Sequence, residues 1–76
     1  MTSLSVESTL LASVTYDPDR TLLELKFRDG GRYRFFDVPA PCVQQLLEAA
    51  SKGAYFNRNI RNRFRFQQVA ETDIEN

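Results

Sequence analysis

The chain has 76 residues, enough for one small domain that buries only roughly 60% of the surface its unfolded chain exposes. Its 10 basic and 10 acidic residues cancel to a formal net charge of zero, and it has one cysteine and no histidine. These counts exclude an internal disulfide, a zinc site of cysteine and histidine, and acid–base catalysis by histidine. The apolar runs are also far shorter than the ~20 residues that cross a bilayer.

The N-terminal region alternates between apolar and polar residues from Thr9 to Tyr16, which predicts a first β-strand. On this pattern Leu11 faces the polar side. The residues expected on the buried face are Leu10, Ala12, Val14 and Tyr16. The preceding segment, Met1 to Ser8, has neither the basic region nor the apolar run of a secretory signal, and we expect a flexible terminus there.

Two further strands follow, joined by a glycine turn. From Leu23 to Phe27 apolar and polar residues alternate, as in a strand with one buried face. Asp29-Gly30-Gly31 tolerates positive φ and predicts a hairpin turn into a third strand, Arg32–Phe36. Tyr33 and Phe35 share the apolar face of that strand. The basic residues expected on the opposite face of the hairpin are Lys26, Arg28, Arg32 and Arg34.

The second half of the chain has helical spacing and is expected to cover the apolar face of the sheet. Pro39 or Pro41 suits the first turn of a helix, whose apolar stripe is Val43, Leu46, Leu47 and Ala50. We expect Ser51-Lys52-Gly53 to end it, with Gly53 in a left-handed conformation. A second helix is predicted through Asn62. Its apolar face is Phe56, Ile60 and Phe64, and its basic face is Arg58, Arg61 and Arg65.

The predicted fold class is α+β: a three-stranded antiparallel meander packed against two C-terminal helices, in the order β-β-β-α-α. Arg63-Phe64-Arg65-Phe66 also alternates with period two, so a short final edge strand remains an alternative. We place a single domain at residues 9–70, between a flexible N-terminus at 1–8 and a flexible acidic tail at 71–76. We expect the protein to be cytoplasmic, with no association with a membrane.

Six segments together resemble one known family. They are Val14-Thr15-Tyr16-Asp17, Leu23–Phe27, Tyr33-Arg34-Phe35, Asp37-Val38-Pro39, Ala50–Asn57 and Ile60-Arg61. In order and spacing they resemble the KTSC domain, found at the C-terminus of some lysyl-tRNA synthetases and as a stand-alone bacterial domain. Tyr33-Arg34-Phe35 departs from the family's Tyr-x-Tyr, because it keeps the second ring without its hydroxyl. The resemblance implies a small α+β domain, with RNA binding as the suggested role.

Charge is unevenly distributed along the chain. Residues 26–65 hold nine basic residues against three acidic ones, whereas both ends are acidic. Eight of the ten basic residues are arginines, which bind phosphate in a bidentate manner. The strongest bias is from Lys52 to Arg65, where five bases stand without an acid. Glu24 lies on the same predicted face as the basic residues of the hairpin and has the opposite charge, so we expect it to pair locally.

Basic side chains interleaved with aromatic rings suit single-stranded or looped RNA. We therefore predict a nucleic-acid-binding module for tRNA or another structured RNA, provided that both basic segments converge on one surface. The predicted contact residues are Arg32, Arg34, Lys52, Tyr55, Arg58, Arg61, Arg63 and Arg65. Such charged faces are often only solvated, and the alternative function is a protein-interaction adaptor. We expect no enzymatic activity, no metal and no cofactor, because no nucleophile–base pair or metal cluster is present.

Overall fold

The computed structural model describes residues 2–5 and 8–69, with side chains from residue 8 onward. In chain order the elements are β1 (Thr2–Ser5), β2 (Leu11–Asp17), β3 (Leu22–Phe27), β4 (Arg32–Phe35), α1 (Ala40–Glu48), α2 (Lys52–Asn59) and β5 (Phe66–Gln68). The strands form one antiparallel sheet in the order β1-β2-β3-β4-β5. The α+β class is thus confirmed, with four strands before the helices instead of three. The predicted acidic tail lies outside the described residues.

Strand β1 lies in the segment that the sequence analysis left without structure. Ser3 pairs with Thr15 and Ser5 with Ser13, so this segment extends the sheet beyond β2. The sequence of β1, TSLS, contains a single large apolar residue, Leu4. One apolar residue is too few to show the period-two alternation on which strand prediction depends.

A register shift in β2 changes the face on which Leu11 lies. Val14 pairs with Leu25, as alternation predicts, but the pairing shifts between Leu11 and Ser13. Leu11 thereby lies opposite Phe27 and is completely buried. The prediction that Leu11 faces the polar side was wrong, because an irregularity of this kind inserts a residue and reverses the alternation.

The helices cover the apolar face of β2, β3 and β4, and the core lies between them. Gly30 takes the predicted positive φ, at 102°, in the β3–β4 turn. Tyr16 lies beside the core, where its hydroxyl donates to the carbonyl of Val38 at 2.6 Å. The buried core cluster is Leu11, Val14, Leu23, Leu25, Phe35, Val38, Val43, Leu46, Phe56 and Ile60. No helix in the described part of the chain is long and apolar enough to cross a membrane.

The boundary between the helices differs from the prediction. Helix α1 ends at Glu48, and Ser51 is the N-cap of α2, where its hydroxyl accepts a hydrogen bond from the Ala54 amide at 3.2 Å. Gly53 lies within the first turn of α2 and not in a left-handed cap. A Cβ atom there would lie 3.3 Å from the Cβ of Leu10, so glycine permits α2 to approach the strand region closely.

Helix α2 ends at Asn59, three residues before the predicted end. The amides of Ile60 and Arg61 both donate to the carbonyl of Phe56 at 2.9 Å, and the chain then turns. It returns to the sheet as β5, in which Phe66 pairs with Phe35. The alternative of a final edge strand is thus realised, although at Phe66–Gln68 and not at residues 63–66.

Candidate nucleic-acid interface

The solvent-facing side of the β3–β4 hairpin carries the predicted basic residues Arg32 and Arg34, with a carboxylate between them. Glu24 lies directly opposite Arg34 in the register of the hairpin. One oxygen of Glu24 lies 3.1 Å from Nη1 of Arg32, and the other lies 3.1 Å from Nε of Arg34. Glu24 therefore pairs locally, as expected, and its carboxylate contacts both guanidinium groups at once.

This three-residue network is partly withdrawn from solvent. The side chains of Glu24 and Arg32 are 14% and 22% exposed, and that of Arg34 is 40% exposed. The Nε atom of Arg32 is buried without a hydrogen-bond partner among the described residues. A phosphate approaching these arginines would compete with a carboxylate already in charge-assisted contact. Arg32 and Arg34 are therefore less available to a polyanion than their sequence positions suggested.

Arg65 lies apart from the helix on which it was predicted. Because α2 ends at Asn59, Arg65 follows the turn, and its carbonyl accepts a hydrogen bond from the Phe36 amide at 2.9 Å. The guanidinium carbon lies 5.0 Å from the centroid of the Phe36 ring, in a cation–π contact. Arg65 thus belongs with the sheet, and the prediction that it shares a helical face with Arg58 and Arg61 was wrong.

Arg58, Arg61 and Arg63 lie within six residues of each other, at the C-terminal end of α2 and in the turn that follows it, and are called here the α2 arginine group. All three side chains are exposed, and none forms an ion pair with a carboxylate within residues 8–69. Nη1 of Arg61 lies 3.5 Å from Oδ1 of Asn57, at the outer limit of a hydrogen bond. The group therefore presents three guanidinium charges that the described acidic residues do not neutralise.

Lys52 and Tyr55, the remaining predicted contacts, lie against α1 and its C-terminal end. The ammonium of Lys52 donates to the carbonyl of Ala49 at 3.3 Å. The hydroxyl of Tyr55 donates to Oε1 of Gln45 at 2.8 Å and lies 3.6 Å from the sulfur of Cys42. Burial, followed by this contact with Cys42, raises the pKa of the Tyr55 hydroxyl. The ring packs partly against the core, so Tyr55 has a structural role beside the stacking role predicted for it.

An open groove of about 480 Å³ borders the α2 arginine group, and the sequence analysis did not predict it. Its aromatic lining is Phe27, Tyr33, Phe35, Phe56 and Phe66, and its polar lining is Asp29, Asn57, Arg61 and Asn62. Phe66, in edge strand β5, is 52% exposed. The sequence analysis placed Tyr33, Phe35 and Phe56 on apolar faces and did not reveal the groove, because the groove exists only where the end of α2 meets β5. The alternation at residues 63–66 was the one available sign of that edge.

Comparison with known proteins identifies the family. The sequence pattern of the KTSC domain matches residues 7–64. An uncharacterized protein of Stutzerimonas stutzeri is 43% identical over 58 residues, which are 76% of this chain and 82% of the relative. A lysine–tRNA ligase of a Nostoc species is 33% identical over 67 residues, 88% of this chain but only 12% of the ligase. The crystal structure of a KTSC domain protein from Yersinia pestis matches with a TM-score of 0.87 at 33% identity, covering 91% of this chain and 97% of the other. The chain belongs to the KTSC domain family, as the resemblance in its sequence predicted.

Proposed function

We propose that this KTSC domain is a binding module, not an enzyme, and that it binds RNA through the α2 arginine group. The observation that carries the proposal is the exposure of three guanidinium groups within six residues, without a carboxylate partner in residues 8–69. Guanidinium groups match phosphate geometry and remain charged at every physiological pH. The similarity to a segment of a lysine–tRNA ligase supports RNA as the polyanion.

The proposal narrows the contact surface that the sequence predicted. Arg32 and Arg34 share the carboxylate of Glu24, and Lys52 and Tyr55 contact α1 or its C-terminal end. Arg58, Arg61 and Arg63 are exposed and make no ion pair within residues 8–69, and Arg61 lines the open groove. We therefore centre the RNA-binding surface on the C-terminal end of α2 and the turn that follows it.

Fluorescence anisotropy with a labelled uridine dodecamer tests this function. Three phosphate contacts on a single strand predict that log K falls with log salt at a slope of about −2. The variant R58Q/R63Q should bind more weakly and with a shallower slope. Arg20→Gln is the control for loss of a single positive charge elsewhere, because Arg20 is an exposed arginine in the β2–β3 turn, 3.7 Å from Asp17, and it should leave the affinity nearly unchanged. Absence of binding at low salt, or an affinity independent of salt, contradicts the proposal.

A second candidate function, docking of an extended peptide, is favoured by strand β5. All three of its residues are exposed, and β5 is the outermost strand beside β4. The amide of Phe36 donates to the carbonyl of Arg65, and the amide of Val69 donates to the carbonyl of Arg32. Residues 65 and 69 therefore turn their backbone groups toward β4, and every second residue between them does the same. The amides of Phe66 and Gln68 therefore face the open edge, where a peptide strand could pair.

Variants of the two surfaces separate these functions. Gln68→Pro removes an outward-facing amide from β5, whereas R58E/R61E reverses charge at the C-terminal end of α2 and in the turn after it. Nucleic acid that co-purifies with the domain and is lost only from R58E/R61E favours RNA binding. A specific protein that is retained by R58E/R61E and lost from Gln68→Pro favours peptide docking.

A further inference from the structure

The groove beside Arg61 is lined mainly by aromatic rings, a lining that suits a flat ring. We propose that it binds an unstacked nucleobase of the RNA strand whose phosphates contact Arg58, Arg61 and Arg63, an inference that rests on the function proposed above. Arg61 belongs both to the arginine group and to the groove wall. A strand held by its phosphates at the end of α2 and the turn after it therefore passes the mouth of the groove.

Phe66 supplies the stacking surface. Its ring lies 5.7 Å from that of Phe35 at a tilt of 34°, and 5.9 Å from that of Tyr33. These neighbours support part of the ring, while 52% of the residue is exposed. Stacking of bases on such exposed aromatic rings is a common mode of binding for single strands and tolerates any base.

The rest of the groove is held in place by packing. Phe56 contacts Phe27 at 5.2 Å and Phe35 at 5.6 Å, both in edge-to-face arrangements. Phe56 itself is buried in the core. A base that enters the groove therefore meets rings that are already ordered, which reduces the entropic cost of binding. The volume of about 480 Å³ lies in the range of small-molecule sites, roughly 300–1,000 Å³.

The polar lining favours a base over a phosphate inside the groove. Asn57 and Asn62 carry amides with both donors and acceptors, which match the edges of nucleobases. Within residues 8–69 the side chain of Asn62 makes no hydrogen bond, and that of Asn57 makes only the 3.5 Å contact to Arg61. The carboxylate of Asp29 also lines the groove, and its negative charge opposes entry of a phosphate. The base thus lies inside and its phosphate outside, beside Arg61.

The variant Phe66→Ala tests the inference, because it removes the stacking ring and leaves every arginine in place. We expect the affinity for the uridine dodecamer to fall roughly tenfold with an unchanged salt slope. Phe36→Ala is the matched control, since Phe36 lies on the opposite face of the sheet beneath Arg65, and it should change the affinity less than twofold. An affinity of Phe66→Ala equal to that of the unaltered protein overturns the groove inference and leaves the proposed function standing. Absence of any binding by the unaltered protein overturns both.

A measurement on the unaltered protein makes the test independent of variant folding. Adenosine monophosphate should shift the amide resonances of Asn57, Asn62 and Phe66 in nuclear magnetic resonance spectra. Ribose 5-phosphate, which carries the same phosphate without a base, should leave these resonances in place. Equal shifts with both compounds, or none with either, contradict base binding in the groove.

Discussion

Arg32 and Arg34 on the sheet, and Arg58 and Arg63 near the end of α2, are the same residue type in different electrostatic surroundings. Strand register places Glu24 against the sheet pair, with contacts of 3.1 Å to each guanidinium. The pair near the end of α2 has no such carboxylate within residues 8–69. The comparison shows that a count of basic residues overestimates the charge available to a ligand. The charge available to a ligand depends on whether the fold places a carboxylate within contact distance of each guanidinium.

The largest effect on stability that this comparison predicts is that of Glu24→Gln. Arg32, whose side chain is 22% exposed, would lose its carboxylate partner, and partly buried charges are costly to leave unpaired. Arg34 is more exposed and screened by solvent, so its ion pair contributes less than that of Arg32. For the whole network we expect the free energy of unfolding to fall by about 2 kcal/mol. Urea denaturation measures the change.

Glu48→Gln provides the control for that variant. Glu48 is an exposed acid on α1 that accepts a hydrogen bond from Gln44, and its replacement should alter stability by less than about 0.5 kcal/mol. If the two variants are equally stable, the sheet network does not hold its arginines as described.

Alkaline pH should lower the free energy of unfolding by an intermediate amount. This effect tests whether the hydroxyls of Tyr16 and Tyr55 are withdrawn from solvent. Burial raises the pKa of Tyr16, with Asp17 adding to the shift, and burial likewise raises the pKa of Tyr55. The folded protein therefore holds these protons more tightly than the unfolded chain. This contribution to the free energy of unfolding is fully present at pH values below 10.0, the ordinary pKa of tyrosine. It is lost as the pH rises through the pKa values of the folded state. Urea denaturation at increasing pH should show a decline above about pH 10.

Tyr16→Phe identifies one source of this decline. It removes the hydrogen bond of 2.6 Å to the carbonyl of Val38, which should cost about 1 kcal/mol at neutral pH. It should also reduce the loss of stability at alkaline pH. A variant that declines above pH 10 as steeply as the unaltered protein would contradict the assignment to Tyr16.

The smallest expected effect is on the stability of R58Q/R63Q. Both side chains are exposed and make no ion pair within residues 8–69, so the free energy of unfolding should change by less than about 0.5 kcal/mol. Thermal or urea denaturation checks this value. A loss comparable to that of Glu24→Gln would mean that these arginines stabilise the fold, and the contrast between the two regions would fail.

The α+β class and the β3–β4 hairpin were predictable because period-two alternation and a glycine turn are local signals. The pairing of Glu24 followed from the same hairpin. Leu11 was placed on the wrong face because an irregularity in register leaves no trace in composition. Ser51 and Gly53 were assigned to the end of the first helix, since Ser-Lys-Gly suits a helix end as well as the N-cap and close packing that the structure shows.

The candidate site was less predictable than the fold because it depends on contacts between distant residues. The separation of Arg65 from Arg58 and Arg61 follows from the end of α2 at Asn59, and helix ends are weakly encoded in sequence. The groove combines residues from Leu10 to Phe66, which meet only after the sheet and α2 have packed. Alternation and helical spacing assign such rings to a buried face and do not reveal that one edge of that face is open.

Two double variants that remove the same charge test the central claim most directly. R58Q/R63Q and R32Q/R34Q each eliminate two positive charges, one pair from α2 and its following turn and the other from the sheet. With the uridine dodecamer at low salt, we predict at least a roughly tenfold loss of affinity for R58Q/R63Q. For R32Q/R34Q, measured where it is fully folded, we predict a change of less than about twofold because Glu24 already neutralises part of that charge. Equal losses for the two variants, or a larger loss for R32Q/R34Q, would contradict the account.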